Sequence, residues 1–567
     1  MLKHFVSRLR GERSDHPLGT ADNLAAVIAD LAGKRPTHAL MALRGWLADA
    51  APLVGQLPRD ACQRAILRLD EAAQPWLAAL WDDAARQLHT LDPQAEITLK
   101  ALESYYHTAA RALEVALNLQ EALSPQQPKA LTVILARMLR ALSREKLAAR
   151  ICFQDLPGEW WPAAHALMEK ARALGALHLR EILYPGDPGD TSPWREYRIG
   201  LFYELGPLGN LSPRQMILLD RIVAWAEPHF TLADTPAAGT PWRLRTDGLR
   251  GPERMIESPT AEQAAEPGWR YLGPGRVSML LFPLKSDVVR QQTVPDWLSI
   301  PPENDREAAA LLQRLMQHWS QTPPKRRHAR KDAQSALRVV PGFDLARRMV
   351  AAGEYARSGR QLEYAAASQQ AMRQAFALPT PTGETLTPEE VLASLETAGD
   401  RQMMERWELR DISMSGLGAR PPVKRQWQAI GALVGLRTDQ SLHWRLALIR
   451  RLTRSHGRYN AGLALLPGEP RCALLEAIKR PDDPWAAETG GLRGTVDALL
   501  VDDKAGHLLA PLGTFGPGGL RYTLVSGGTR QPVVLQHLLE NGPDYELIAY
   551  TVGAEGSDPA APATSAA

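Results

Sequence analysis

At 567 residues the chain is too long for one ordinary hydrophobic core, and length alone sets an expectation of about two to four domains. With 45% hydrophobic and 23% charged residues it is not an intrinsically disordered polypeptide. A net charge of +3 leaves no global basic field of the kind that drives nonspecific nucleic-acid binding. Cys62, Cys152 and Cys472 stand far apart with no C-x-x-C, so neither a zinc cluster nor a disulfide framework is expected, and no metal or other cofactor is implied. Met1–Arg10 is basic, but no long apolar run follows it. The longest apolar clusters, such as Val277–Leu284, fall well short of the roughly 20 residues a membrane helix needs. A cytoplasmic protein without a membrane span is expected, and abundant Ala and Arg with scarce Lys suggest a GC-rich bacterial genome.

Residues 1–232 read as a large, mostly helical region. Asp22–Leu31, Arg59–Leu88, Ile97–Leu123, Ala130–Ile151 and Trp160–Leu174 carry apolar residues close to a 3.6 period. Leu177–Leu183, Trp194–Leu205 and Pro213–Phe230 continue it, with Ser212-Pro213 reading as a capped helix start. Residues 233–320 read as a small α+β region: Trp242–Arg245 and Val277–Phe282 look like strands, and Asn304–Gln321 is a helix. Ala336–Val340 is strand-like, and Phe343–Gly399 is helical by pattern, with Leu345–Ala352, Gln361–Phe376 and Pro388–Leu395 as its helices. Glu405–Leu466 is strand-rich: Trp407–Ile412, Leu417–Arg420, Trp427–Val434, Trp444–Leu452 and Arg458–Leu465 follow at regular spacing. Residues 467–552 form a small β-rich C-terminal module of short runs: Gly494–Leu500, Leu508–Pro511, Gly519–Ser526, Pro532–Leu539 and Tyr545–Val552. Residues 553–567 read as a disordered tail.

Two stretches carry the chemistry. The first is Arg326-Arg327-His328-Ala329-Arg330, inside the basic run Lys325–Lys331. The second is Asp411-Ile412-Ser413-Met414-Ser415-Gly416. Arginine presents a planar fork of donors that pairs with phosphate oxygens or with guanine O6 and N7, and it stacks on a purine face. A carboxylate at Asp411 can accept from guanine N–H groups or hold an arginine in place. Ser413, two residues on, lies on the same face of a strand, and Gly416 permits a turn and a close approach. Neither stretch is decisive alone.

Together they have the form R-x-x-x-R followed by D-x-S-x-x-G, and in this the chain resembles the PilZ domain family, small β-barrels that bind the bacterial second messenger cyclic di-GMP. The resemblance covers about residues 321–342 and 401–466. It implies an antiparallel β-barrel over 321–466 and a receptor rather than an enzyme. Arg326, Arg327, Arg330, Asp411, Ser413 and Gly416 would be the ligand-binding residues, and ligand contact with the Arg-rich linker would change domain arrangement. The two motifs stand about 80 residues apart, farther than in the family, so a helical insertion at about 343–399 would separate the first two strands. That insertion offers room for a partner or homo-oligomer surface, and the helical region for an unidentified protein partner. The alternative is a degenerate PilZ-like interaction scaffold that binds no nucleotide. A nucleic-acid binder built on Lys325–Lys331 is disfavoured by the near-neutral net charge. Ser143-Arg144-Glu145-Lys146 matches S-x-x-K, but without its companion motifs it gives no reason to expect catalysis.

Overall fold

The computed structural model describes residues 16–88, 93–124, 127–154, 156, 158–255, 266–300, 305–320, 329–358, 398–439, 441–455, 457–477, 495–502, 504–516 and 521–553. The chain divides into two compact units, Met1–Lys325 and Arg326–Ala567. The architecture is α+β: helices dominate the first unit, and two closed antiparallel barrels make up most of the second.

In the first unit, helices α1 (Ala21–Leu31), α2 (Pro36–Ala48), α3 (Ala50–Gln56), α4 (Arg59–Gln87), α5 (Pro93–Leu123), α6 (Pro128–Ile151) and α7 (Trp160–Ala173) follow one another. They are joined by α8 (Pro193–Tyr203) and α9 (Pro213–Ala226). Prolines open α2, α6, α8 and α9, where a missing backbone N–H costs nothing. Ser212 and Gln215 form a reciprocal capping box at the start of α9. The expected helix over Leu177–Leu183 does not form. Gly175 at φ +66° ends α7, and the chain instead makes an isolated bridge between Glu181 and Thr191. That path buries Leu183 and Tyr184.

Buried charge ties these helices together. The Tyr184 hydroxyl donates to Asp70 at 2.9 Å and the Tyr105 hydroxyl at 3.3 Å. Arg137 adds an ion pair to Asp70 at 3.5 Å and donates to the Leu183 carbonyl at 2.9 Å. Burial pushes the Asp70 carboxyl up, while Arg137 and the two phenols pull it back. Lys146 is enclosed by Trp160, Trp161 and Tyr203, with its ammonium 4.6, 5.1 and 5.4 Å from the ring centroids. It donates to the Gly200 carbonyl and pairs with Glu204 at 3.5 Å. This accounts for the lysine of the S-x-x-K match: it is packed among helices.

Strands β1 (Thr231–Ala233), β2 (Trp242–Arg245), β3 (Glu253–Arg254) and β4 (Trp269–Gly273) form a four-stranded sheet in the order β1-β4-β2-β3. The expected strand at Val277–Phe282 is instead the start of helix α10 (Val277–Gln291). Val277, Leu281 and Val288 are buried, whereas Met279 and Phe282 are exposed. That is a helical spacing, which a six-residue apolar run is too short to reveal. Helix α11 (Asp305–His318) follows, and the Trp319 indole donates to the Leu205 carbonyl at 2.9 Å.

The first barrel consists of β5 (Lys331–Pro341), β6 (Glu405–Ser413), β7 (Gly416–Arg420), β8 (Leu433–Thr438), β9 (Arg445–Ser455) and β10 (Arg458–Leu465), closed in the order β10-β7-β6-β5-β8-β9. The strand expected over Trp427–Val434 starts later. Gly431 at φ +87° makes a turn, Gln428 is tied to Glu405 at 3.0 Å, and pairing resumes at Leu433. Between β5 and β6 lie helices α12 (Phe343–Ser358) and α13 (Ala398–Met403). The helices expected at Gln361–Phe376 and Pro388–Leu395 lie outside the described residues, as does nearly all of the expected C-terminal tail.

The C-terminal module is a second closed barrel: β11 (Arg471–Ala477), β12 (Thr495–Asp502), β13 (His507–Ala510), β14 (Arg521–Ser526), β15 (Thr529–Asn541) and β16 (Glu546–Val552), in the order β11-β12-β13-β16-β15-β14. Sequence reading assigns no strand to Arg471–Ala477, because both of its faces are apolar. Ala473 and Leu475 fill the barrel, and Cys472 packs outward.

Lys146 yields a pH test. Its burial lowers the ammonium pKa from 10.5 to about 8. Between those values the unfolded chain holds a proton that the folded chain has released, so this group makes stability rise with pH. In urea denaturation at pH 7.5 and pH 10, wild type should gain stability relative to Lys146→Met. Parallel behaviour of the two proteins would contradict this account.

Candidate binding face on the first barrel

Arg330 immediately precedes β5, and antiparallel pairing of β5 with β6 sets Lys331 opposite Ile412 and Asp332 opposite Asp411. That register carries Arg330 to Asp411. One guanidinium nitrogen lies 2.8 Å from Oδ1 and donates to Oδ2 at 3.0 Å. The arginine and acid, 81 positions apart in sequence, therefore meet despite the intervening insertion. Their side chains keep 35% and 25% exposure, so the pair is open to a ligand. Arg326 and Arg327 lie outside the described residues.

A β-bulge decides which side of the barrel Asp411 occupies. Glu408 pairs with Arg420 and Leu409 with Ala419, but the next pair is Asp411 with Gly418, leaving Arg410 as an extra residue. Trp407, Leu409, Leu417 and Ala419 fill the barrel interior. After the bulge the alternation is shifted by one, so Asp411 and Ser413 stand on the outer face with Glu408. Ser413 closes the β6–β7 turn by donating from Oγ to the Gly416 carbonyl at 3.1 Å.

Glycine is required twice. A Cβ at Gly416 would lie 2.5 Å from the Leu463 carbonyl oxygen on β10. A Cβ at Gly418 would lie 2.5 Å from Asp411 Oδ2. Gly418 therefore makes room for the carboxylate, and Gly462 is its neighbour on β10. Sequence reasoning identified Gly416 and passed over Gly418; the signal for it was a second glycine at i+2 within the strand.

The same outer face continues into a cleft of about 530 Å³ lined by Arg406, Glu408, Arg420, Lys424, Arg458 and Tyr459, among others. Arg420 pairs with Glu408 at 3.3 Å and donates to Asn460 Oδ1 at 3.4 Å. Arg410, followed by the more distant Arg420 and Arg458, holds the Glu408 carboxyl below its ordinary range. Arg420 lies two positions beyond Gly418, which along a strand is about 7 Å. The face thus offers a fork donor at Arg330, an acceptor at Asp411 laid over Gly418, and a cationic cleft beside them. That combination suits an anionic ligand with planar bases. Among the described residues no group of three or more His, Cys, Asp or Glu side chains is placed to hold a metal ion. No helix among them is long and apolar enough to cross a membrane.

Gly418→Ala should force the Asp411 carboxylate off its position. Expected is a loss of about 1–3 kcal/mol in the stability of the barrel unit, read by thermal denaturation. An unchanged melting temperature would show that the carboxylate does not need this space.

Comparison with known proteins bears on the other unit. The family model described as the N-terminal domain of the cyclic-di-GMP receptor FimW matches residues 22–237. The matched segment runs from α1 through the strand β1, and the barrels lie outside it. No curated protein and no solved structure matches the chain.

Proposed function

We propose that this chain is a cyclic di-GMP-responsive regulator whose nucleotide site is the outer face of the first barrel at Arg330 and Asp411. The observation that carries this reading is a convergence of two separate segments. The helical unit is similar to the N-terminal domain of a cyclic-di-GMP receptor family. The other unit brings the arginine and acid of a PilZ-like signature into contact on an open face. In this reading Asp411 accepts from a guanine edge, Arg330 and the neighbouring Arg326 and Arg327 pair with phosphates and stack on bases, Gly416 lets β7 pass close to β10, and Gly418 gives the Asp411 carboxylate its place on the strand. Arg420 and Arg458 extend the cationic surface.

The regulatory step follows from where the arginines sit. Arg326 begins the second unit at its junction with the first. A ligand held jointly by Arg326, Arg327, Arg330 and Asp411 fixes the connecting segment to the barrel, and differential affinity for that state is the source of the signal. The output is transmitted to a protein partner through the helical unit. The reading has no catalytic step.

Titration calorimetry of the whole chain with cyclic di-GMP tests the proposal. A saturable heat is expected for wild type. Asp411→Ala and Arg330→Ala should each weaken binding by about ten- to a hundred-fold, the loss associated with charge-assisted hydrogen bonds. Folded wild-type protein that gives no heat would overturn the reading. Undiminished binding by both variants would move the site elsewhere.

Arg420→Ala separates the cleft from the Arg330–Asp411 pair. A several-fold loss of affinity, steeper in low salt than in high salt, is expected if the cleft carries part of the ligand's negative charge.

A further inference from the structure

The two barrels have one topology. With the strands of each lettered a to f in chain order, both close in the ring a-d-e-f-c-b. Each also carries a bulge in strand b, between Leu409 and Asp411 in the first and between Leu500 and Asp502 in the second. Aligning the bulges superposes three cross-strand rows. The interior row Leu409, Ala419, Ala461 corresponds to Leu500, Leu508, Ile548. The outer row Asp411, Gly418, Gly462 corresponds to Asp502, His507, Ala549. The outer row Glu408, Arg420, Asn460 corresponds to Leu499, Leu509, Leu547.

The face that is polar and open on the first barrel is therefore apolar on the second, and it is covered. Leu499, Val501 and Leu509 belong to a buried cluster with Phe343, Ala346 and Met349 of α12 and with Leu433, Trp444 and Leu446 of the first barrel, and Leu547 packs against it. Polar contacts rim this seam. Arg347 of α12 pairs with Asp497 at 3.0 Å, Tyr545 donates to the Gly431 carbonyl at 2.9 Å, and Arg450 pairs with Glu540 at 2.5 Å. At the bulge the chemistry differs as well. Asp502 Oδ1 accepts from the backbone N–H groups of Lys504 and Ala505, both at 3.1 Å. His507 stands where the first barrel has Gly418. No arginine occurs between Arg458 and Arg471, so nothing ahead of β11 matches Arg330.

We infer that the second barrel is a copy of the first whose ligand face has become an intramolecular docking face, taking α12 and the first barrel in place of a nucleotide. The chain then has one nucleotide-binding barrel, and the second holds α12 against the outer surface of β8. The statement about nucleotide rests on the function proposed above; the statement about docking does not.

Two measurements test it. In calorimetry with cyclic di-GMP, Asp411→Ala should weaken binding about ten- to a hundred-fold, whereas Asp502→Ala and His507→Gly should stay within two-fold of wild type. Residual binding in Asp411→Ala that disappears on adding Asp502→Ala would overturn the inference. If wild type binds no cyclic di-GMP, the proposed function fails, and hydrogen exchange decides the docking role alone. Leu509→Arg, which installs the first barrel's residue, should raise exchange at least ten-fold in α12 while β14 and β15 keep their protection. Tyr545→Phe should shift α12 in the same direction by a smaller factor. Protection in α12 unchanged in both variants, or lost from β14 and β15 together with α12, would show that Leu509 serves the second barrel's own fold and not the seam.

Discussion

One extra residue in β6, Arg410, governs the candidate site. A strand alternates its side chains between two faces, so a single inserted residue exchanges them for everything that follows. Without the bulge, the position of Asp411 would continue the inward series begun by Trp407 and Leu409, and a carboxylate would face an apolar barrel interior. With it, Asp411 reaches the outer face, where Arg330 approaches within 2.8 Å. Gly418 follows from this constraint: a carboxylate laid across the neighbouring strand occupies the volume in which any other residue would place its Cβ. The outward acid and the glycine thus follow from the shift of β6 on β7, and the approach of the arginine from the pairing of β5 on β6, which has its own irregularity between Asp332 and Ser335.

The second barrel repeats that framework and uses it differently. Both barrels fill their interiors with Leu, Ala and Ile at matching positions. They differ on the outer face, where Glu408 and Arg420 on one correspond to Leu499 and Leu509 on the other. Apolar surface of that extent is stabilised by removal from water, and here α12 and the first barrel cover it. The contact is head to tail, since strands β5, β8 and β9 of the first barrel, through α12, meet strands β12, β13 and β16 of the second. A head-to-tail contact between like modules can propagate into an open chain. The equivalent face of the first barrel carries the charged pair Glu408 and Arg420 instead of leucines.

The helical unit is organised by buried ionic groups. Asp70 sits among two phenols and a guanidinium, and Lys146 among three aromatic rings. Such groups are costly to bury and costly to leave unpartnered, so each fixes the relative placement of the helices that supply its partners. This unit holds the segment similar to the FimW N-terminal domain. The matched segment and the barrel motif therefore lie on different parts of the chain.

Periodicity made the long helices α4 to α6 legible, because twenty or more residues give the 3.6 repeat room to show. It also made β10 legible, because buried Ala461 and Leu463 alternate with the less buried Asn460, Gly462 and Ala464. The run at Val277 was too short to show a period, and the strand at Arg471 was apolar on both faces, so neither pattern could be read. The residue types of the candidate site were visible in order along the chain: Arg330, Asp411, Ser413 and Gly416. Their meeting was not, because an arginine and an acid 81 positions apart are joined only by the register of β5 on β6. The identity of the second module stayed hidden for a related reason. Its outer face carries leucines where the first barrel carries charges, so the repeat lies in strand pairing and bulge position and not in residue identity. Sequence by itself determined the periodic elements and the chemical character of the site. Which faces those elements turn outward, and what covers them, depended on long-range pairing that tertiary structure alone supplies.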